Sequence, residues 1–359
     1  MTALRVTPGR RLLEGMDSEL FNELLDRAVT DVGACASTGL IAVGERTGLF
    51  AALRQGPATP AELARRSGTA ERYVREWACA LAAGGYLTHD GGSYTLNPEQ
   101  RVLLDPDGPV NLPAAAELGL AIMRDTDRLE RAFRTGEGIG WGEHDEALHA
   151  GVAAFYRPGY AQHLVDRWLP ALDGVADRLR AGGSVADIGC GHGAATVLIA
   201  EAFPAATVTG FDAHPASVAA ATAAAAKAGV RAGFEVAPAA GFPAPAGGYD
   251  LVTTFDALHD LGDPLGAARR VRETLRADGT WLIVEPRAGD RVEDNLHPLG
   301  RLFYGASTYL CVPHAISEGG AALGAQAGPA RLTELLTEAG FTDVRVVDTT
   351  QTNLVLSAR

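Results

Sequence analysis

The stretch Asp187-Ile188-Gly189-Cys190-Gly191-His192-Gly193 decides how this chain of 359 residues is read. Its glycines alternate between an apolar run, Val185–Ile188, and a helical run, Ala194–Ala202. A strand, a glycine turn and a helix in that order let a ligand lie against bare backbone at the strand's carboxyl end. Asp212 ends the next strand, Thr207–Phe211, where a carboxylate can accept both hydroxyls of a ribose.

The same alternation continues downstream. Ala216–Ala228, Pro264–Leu275 and Pro329–Ala339 read as helices, and Gly233–Val236, Asp250–Thr254 and Thr280–Glu285 as strands. Val344–Val347 and Leu354–Ser357 give two closing strands. This predicts an α/β fold with a mostly parallel doubly wound sheet over residues 183–359. The segment 286–328 is too long for a plain connection and is expected to form helices that cap the substrate.

Upstream the pattern is helical. Glu19 to Arg54 has helical apolar spacing with breaks expected near Gly39 and Gly44. Thr59-Pro60-Ala61-Glu62 is a helix start, with Thr as cap, Pro at the first helical position and Glu in the first turn. A second helix runs from about Ala70 to Gly84-Gly85, and Asp90-Gly91-Gly92 turns a small hairpin. Helix, helix and hairpin predict a winged helix within residues 1–105. Residues 106–182 read as a helical linker, broken at the glycines from Gly136 to Gly142 and again between Asp145–Tyr156 and Tyr160–Arg180.

Composition narrows the partners. The net charge is −13, which excludes a generally basic nucleic-acid coat. From Ala36 to Asp105, arginines 46, 54, 65, 66, 72, 75 and 101 are matched by acids 45, 62, 71, 76, 90, 99 and 105. A DNA reader needs unpaired cations for phosphates, so nucleic acid is not the expected partner. Cys35, Cys79, Cys190 and Cys311 stand far apart, with no zinc-finger spacing; no metal site and a reducing cytoplasm are expected. The opening residues MTALRVTPGRRLLEG have no apolar signal core, and no membrane span is expected.

Gly189, Gly191 and Ala194 also satisfy a loose dinucleotide pattern, G-x-G-x-x-G/A. Asp187 argues against it, because a pyrophosphate would not welcome an acid there while an amino group would. With Tyr249-Asp250-Leu251-Val252, the turn Leu275–Thr280 and the two closing strands, the stretch resembles motif I of class I S-adenosylmethionine (SAM)-dependent methyltransferases, and the resemblance covers Ser184–Arg359. The whole chain resembles a group of actinobacterial and mycobacterial winged-helix methyltransferases, related to the plant-type and antibiotic-pathway O-methyltransferases. That likeness rests on Phe155-Tyr156-Arg157-Pro158-Gly159-Tyr160, Phe255-Asp256-Ala257-Leu258-His259-Asp260, Val284-Glu285-Pro286, Asp294-Asn295 through Gly300-Arg301, and Gly324–Gly328.

The resemblance implies a Rossmann-like methyltransferase sheet with an N-terminal helical winged-helix domain. It implies a transferase of secondary metabolism that acts on a small-molecule acceptor, with the winged helix serving homodimerisation. SAM would be the cofactor and S-adenosylhomocysteine the product. Asp187, Gly189, Cys190, Gly191 and Gly193 would hold the methionine moiety, and Asp212, Ala213 and His214 the ribose side. Tyr156, Arg157, Phe255 and Asp256 complete the expected cofactor set. After the third strand, Val236–Ala240 lacks the acid that often faces adenine in the family. His259 is the candidate base, oriented by Glu285, for a hydroxyl acceptor; Asp260 is read as a cap of the following turn. Trp141, Tyr304, Tyr309 and His314 are expected near the acceptor. A SAM-binding regulator, and a SAM-fold protein catalysing a non-methylating reaction, are the alternatives.

Overall fold

The computed structural model describes residues 16–320 and 322–359. The opening stretch read above for a signal core, residues 1–15, lies outside the described residues, as does Ala321 in the capping segment. By its internal contacts the chain divides into two compact units, up to Leu120 and from Ala121.

The first unit begins with α1 (Ser18–Arg46) and α2 (Leu49–Arg54). The break lies at Thr47-Gly48, not near Gly39 or Gly44: Gly48 takes a φ of 73°, while the other two stay helical. Packing explains Gly44, since a Cβ there would meet Trp77 at 2.7 Å and Phe50 at 2.8 Å. These two rings centre the unit's core with Leu53, Leu63 and Leu81.

Next come α3 (Pro60–Ser67), α4 (Glu71–Ala83), and the antiparallel pair β1 (Thr88–Asp90) and β2 (Ser93–Thr95). The Thr59 cap forms as read, worth about 1 kcal/mol, Glu62 reaches back to complete a capping box, and Gly68 ends α3 in the left-handed conformation. The arrangement is a winged helix. Its second helix pairs its own arginines, Arg72 with Glu76 at 2.6 Å and Arg75 with Glu71 at 2.5 Å. Then follow α5 (Pro98–Leu103) and α6 (Leu112–Met123).

The second unit continues with α7 (Thr126–Thr135), a 3₁₀ turn at Trp141–Glu143, and α8 (Glu146–His163). Helix α8 does not break at Arg157-Pro158-Gly159 but runs through Pro158 into a π turn, Leu164–Trp168. Buried Leu148 and Tyr160 lie on either side of the proline, with Leu164 and Trp168 beyond, and this burial outweighs the lost hydrogen bond. Helix α9 (Val175–Arg180) leads into the sheet.

The strands are β3 (Ser184–Ile188), β4 (Thr207–Asp212), β5 (Gly233–Val236), β6 (Tyr249–Phe255), β7 (Leu275–Pro286), β8 (Val344–Thr349) and β9 (Asn353–Ala358). Their order is β5-β4-β3-β6-β7-β9-β8, with β9 antiparallel to both β7 and β8. The turn read at Leu275–Thr280 is taken up in β7 as an irregularity: Tyr249 faces Leu275, then Leu251 faces Thr280. Helices α10 (Ala194–Ala202), α11 (Pro215–Ala228), α12 (Pro264–Thr274) and α15 (Pro329–Glu338) connect the strands. The segment after β7 folds into α13 (Pro298–Tyr309) and α14 (Cys311–Ser317). Strand β6 is buried at every residue, as a central parallel strand must be. No helix among the described residues is long and apolar enough to cross a membrane.

Candidate active site

Strand order reverses between β3 and β6, and the crevice outside their carboxyl ends is where such folds take ligands. The loop Gly189–Gly193 leaves β3 there. Gly189, Gly191 and Gly193 have φ of 67°, 52° and 77°, values that side-chain-bearing residues rarely adopt. Gly189 and Cys190 donate their amides to the Phe211 carbonyl at 2.8 and 3.1 Å, tying the loop to β4. A Cβ on Gly189 would strike Ala257 at 2.8 Å, whereas one on Gly191 would meet nothing within 4 Å. The loop thus offers bare backbone on one open side. The Asp212 carboxylate at the end of β4 accepts from Gly191 N and His214 N, both at 2.8 Å. Open backbone beside an oriented carboxylate fits a nucleoside-bearing cofactor such as SAM.

Asp187 lies under this loop, 1% exposed. It accepts from Thr196 Oγ1 at 2.5 Å and Thr253 Oγ1 at 2.8 Å. Burial pushes its carboxyl up to about 6, against the pull of the two hydroxyls. The Cys190 sulfur also lies below the loop, where a Cβ on Gly210 would meet it at 2.8 Å.

A second carboxylate, Asp256, follows β6 with a φ of 49°. It accepts from Tyr160 Oη at 2.6 Å and from Asn353 Nδ2 at 3.0 Å. Burial raises it to about 8, and the Tyr160 hydrogen bond opposes this only in part. Tyr156 stacks on Tyr160, their planes 8° apart. Phe255 turns into the core against Tyr160 and Trp168. Arg157 is exposed, and its side chain makes no hydrogen bond or ion pair with a described residue.

His259 sits in a 3₁₀ turn after β6, 3% exposed. Its Nδ1 is 2.6 Å from Glu285 Oε2 on β7, and Glu285 Oε1 accepts from Leu258 N at 3.0 Å. The pair expected from the sequence is therefore in contact. Asp260, read as a cap of the following turn, faces back to His259 Nε2 at 3.1 Å, and the next helix is capped by Asp263 through Gly266 N. Buried Cys311, from α14, completes the group. Burial disfavours a charged ring at His259, but Asp260 and Glu285 outweigh it and hold the imidazole pKa well above its usual value. Burial likewise pushes the Cys311 thiol up to about 12.

Trp141 and His314 are brought together, with ring centroids 5.9 Å apart and Trp141 N donating to His314 Nδ1 at 3.3 Å. His149 stands between Trp141 and His214, at 5.3 and 4.8 Å from their rings. Tyr309 Oη lies 3.3 Å from Thr126 Oγ1, and Tyr304 is on the exposed side of α13. Sequence reasoning missed Thr196, Thr253, Tyr160, Asn353 and Cys311. Thr253, Asn353 and Cys311 act through partners far along the chain and stand in no quoted motif; Thr196 lies 9 residues from Asp187, and Tyr160 stands in the Phe155–Tyr160 stretch, but neither is singled out as a partner of these acids.

Residues 185–279 match the family described as methyltransferase domain, and residues 35–105 that described as Rv2258c-like winged HTH domain. The chain thus carries a methyltransferase domain behind an N-terminal winged-helix domain. Among solved structures it is similar to a putative O-methyltransferase from Nostoc punctiforme PCC 73102 (21% identity, 96% of this chain and 99% of the other, TM-score 0.71). Human N-acetylserotonin methyltransferase in complex with SAM is also similar (18% identity, 96% and 99%, TM-score 0.71). So is the mitomycin 7-O-methyltransferase MmcR (18% identity, 95% and 99%, TM-score 0.66). No curated protein matches the chain in sequence at a significant level.

Proposed function

We propose that this chain methylates an oxygen of a small organic acceptor, with His259 taking up the acceptor's proton and Glu285 holding the ring. The observation behind this reading is the buried Nδ1–Oε2 contact of 2.6 Å at the carboxyl end of β6 and β7. Bound SAM supplies a methyl on a sulfonium, an already activated leaving group. The chain's part is to align the acceptor, exclude water and manage one proton. Glu285 fixes the tautomer that leaves Nε2 to the acceptor, and the acceptor hydroxyl has to take the place that Asp260 occupies beside Nε2. Gly189, Cys190, Gly191, Gly193 and Asp187 are assigned to the methionine end of the cofactor. Asp212, Ala213 and His214 are assigned to the ribose end, and Tyr156, Arg157, Phe255 and Asp256 to the flank. Trp141, Tyr304, Tyr309 and His314 are assigned to the acceptor. Mitomycin and N-acetylserotonin, named for two of the similar structures, are small molecules, in keeping with an acceptor of secondary metabolism.

One observation favours a second reading. With carboxylates at both ring nitrogens, His259 is held charged and would serve as a hydrogen-bond donor that positions the acceptor oxygen. Two variants separate the readings. As a base, His259 is worth roughly 10²–10⁴ in kcat, so His259→Ala and His259→Gln both lose that much while SAM affinity persists. If His259→Gln, which keeps a donor, turns over near the wild-type rate, the base reading is lost and positioning stands.

The winged helix is assigned to homodimerisation in the cytoplasm rather than to DNA. Support comes from the self-paired arginines of α4 and from Leu20, Leu24 and Val32 of α1, all at least 49% exposed. Light scattering that returned a monomer would remove this assignment.

A further inference from the structure

The group around His259 contains more ligating chemistry than proton transfer needs. A ring nitrogen, a carboxylate oxygen and a thiol of His259, Asp260 and Cys311 all lie within 4.8 Å of one another. Around a tetrahedral zinc ion, bond lengths of about 2.0–2.3 Å place ligand atoms roughly 3.3–3.8 Å apart. Nε2 and Asp260 Oδ1, at 3.1 Å, are already that close, so only a small inward movement of Cys311 is required. Asp260 Oδ1 is buried, and the groups that face the Asp260 carboxylate are the other two members of the cluster, His259 Nε2 and the Cys311 thiol. Glu285 accepts from Nδ1 at 2.6 Å and so orients the imidazole toward the group, the carboxylate–histidine arrangement that supports metal-bound rings.

The geometry points to a site for a borderline-soft divalent cation of the zinc type, bound by His259 Nε2, Asp260 Oδ1 and Cys311 Sγ, with Glu285 as the orienting partner. Imidazole, carboxylate and thiolate together select such an ion over magnesium or calcium, which prefer all-oxygen sets. Loading replaces the proton on Nε2 and the thiol proton of Cys311 with a doubly charged ion, so the buried group keeps its net charge. The cation and the acceptor's proton need the same nitrogen, so the loaded protein is an inactive form. That last consequence rests on the methyltransfer reading above; the site itself does not.

The test is a titration of the chelator-stripped full chain with Co²⁺, read by absorption. One equivalent should give visible ligand-field bands of a tetrahedral site and a near-ultraviolet thiolate-to-cobalt band. Cys311→Ser should abolish the near-ultraviolet band, and Cys190→Ser should retain it. Asp260→Asn, which keeps the thiol and the shape, should weaken Co²⁺ binding by roughly tenfold or more. No thiolate band at one equivalent, a band that survives Cys311→Ser, or unchanged affinity in Asp260→Asn overturns the site. None of these outcomes depends on whether His259 is a base.

Discussion

At the loop after β3 the geometry is made by backbone; at the turn after β6 it is made by side chains gathered from three elements. Glycine dihedrals and amides bonded to Phe211 O shape the first region, and Asp212 sits one strand away. The second depends on Glu285 from β7 and Cys311 from α14, residues 26 positions from His259 in one case and half a hundred in the other. Backbone geometry tolerates few substitutions and is specified locally. A side-chain cluster can lose a member and still fold, so its loss should show in chemistry first.

The largest expected effect breaks the backbone side. Gly189→Val places a β-branched residue at a φ of 67° and drives a Cβ to 2.8 Å from Ala257. The conformation costs about 1–3 kcal/mol and the crowding about as much again. Thermal or denaturant unfolding should show this loss, together with loss of SAM binding. Wild-type stability would mean that the loop is not the rigid element described. Next in size, Asp212→Ala removes a charged acceptor from Gly191 N and from the assigned ribose site. Hydrogen bonds to charged groups are worth about 1.5–3 kcal/mol, so SAM affinity should fall roughly 10–150-fold. Calorimetry with unchanged affinity would strike Asp212 from the cofactor map.

The same contrast decides what could be read from the sequence. Glycine spacing and a strand-ending acid are local signals, and the strands, the crossing helices and the Thr59 cap are all present. The pairing of His259 with Glu285 came from resemblance, and the contact is there. Asp260 and Cys311 were illegible as partners, because only the path of α14 brings Cys311 to His259. The misplaced breaks share another cause. Gly44 and Pro158 weaken a helix by propensity, but burial decides: Trp77 and Phe50 pack on Gly44, and Leu148 and Tyr160 anchor α8 on both sides of Pro158.

The last test lies where the two regions differ in protonation. Asp187, under the loop, stands at about 6, and Asp256, beside the His259 turn, at about 8, against an ordinary value of 3.8 for each. A carboxyl whose pKa is higher folded than unfolded binds its proton more tightly in the native state. Its contribution is complete below about 3.8 and is lost as the pH climbs through the folded value. For Asp256 the window runs from about 4 to about 8, with a slope of at most about 1.4 kcal/mol per pH unit. Asp256→Asn keeps an acceptor for Tyr160 Oη, tolerates the positive φ and has no proton to lose. Unfolding followed from pH 5 to pH 9 should therefore show the variant gaining on the wild type as the pH rises. Parallel curves would mean that Asp256 ionises as easily in the fold as out of it. The two buried carboxyls would then differ in their partners but not in charge at neutral pH.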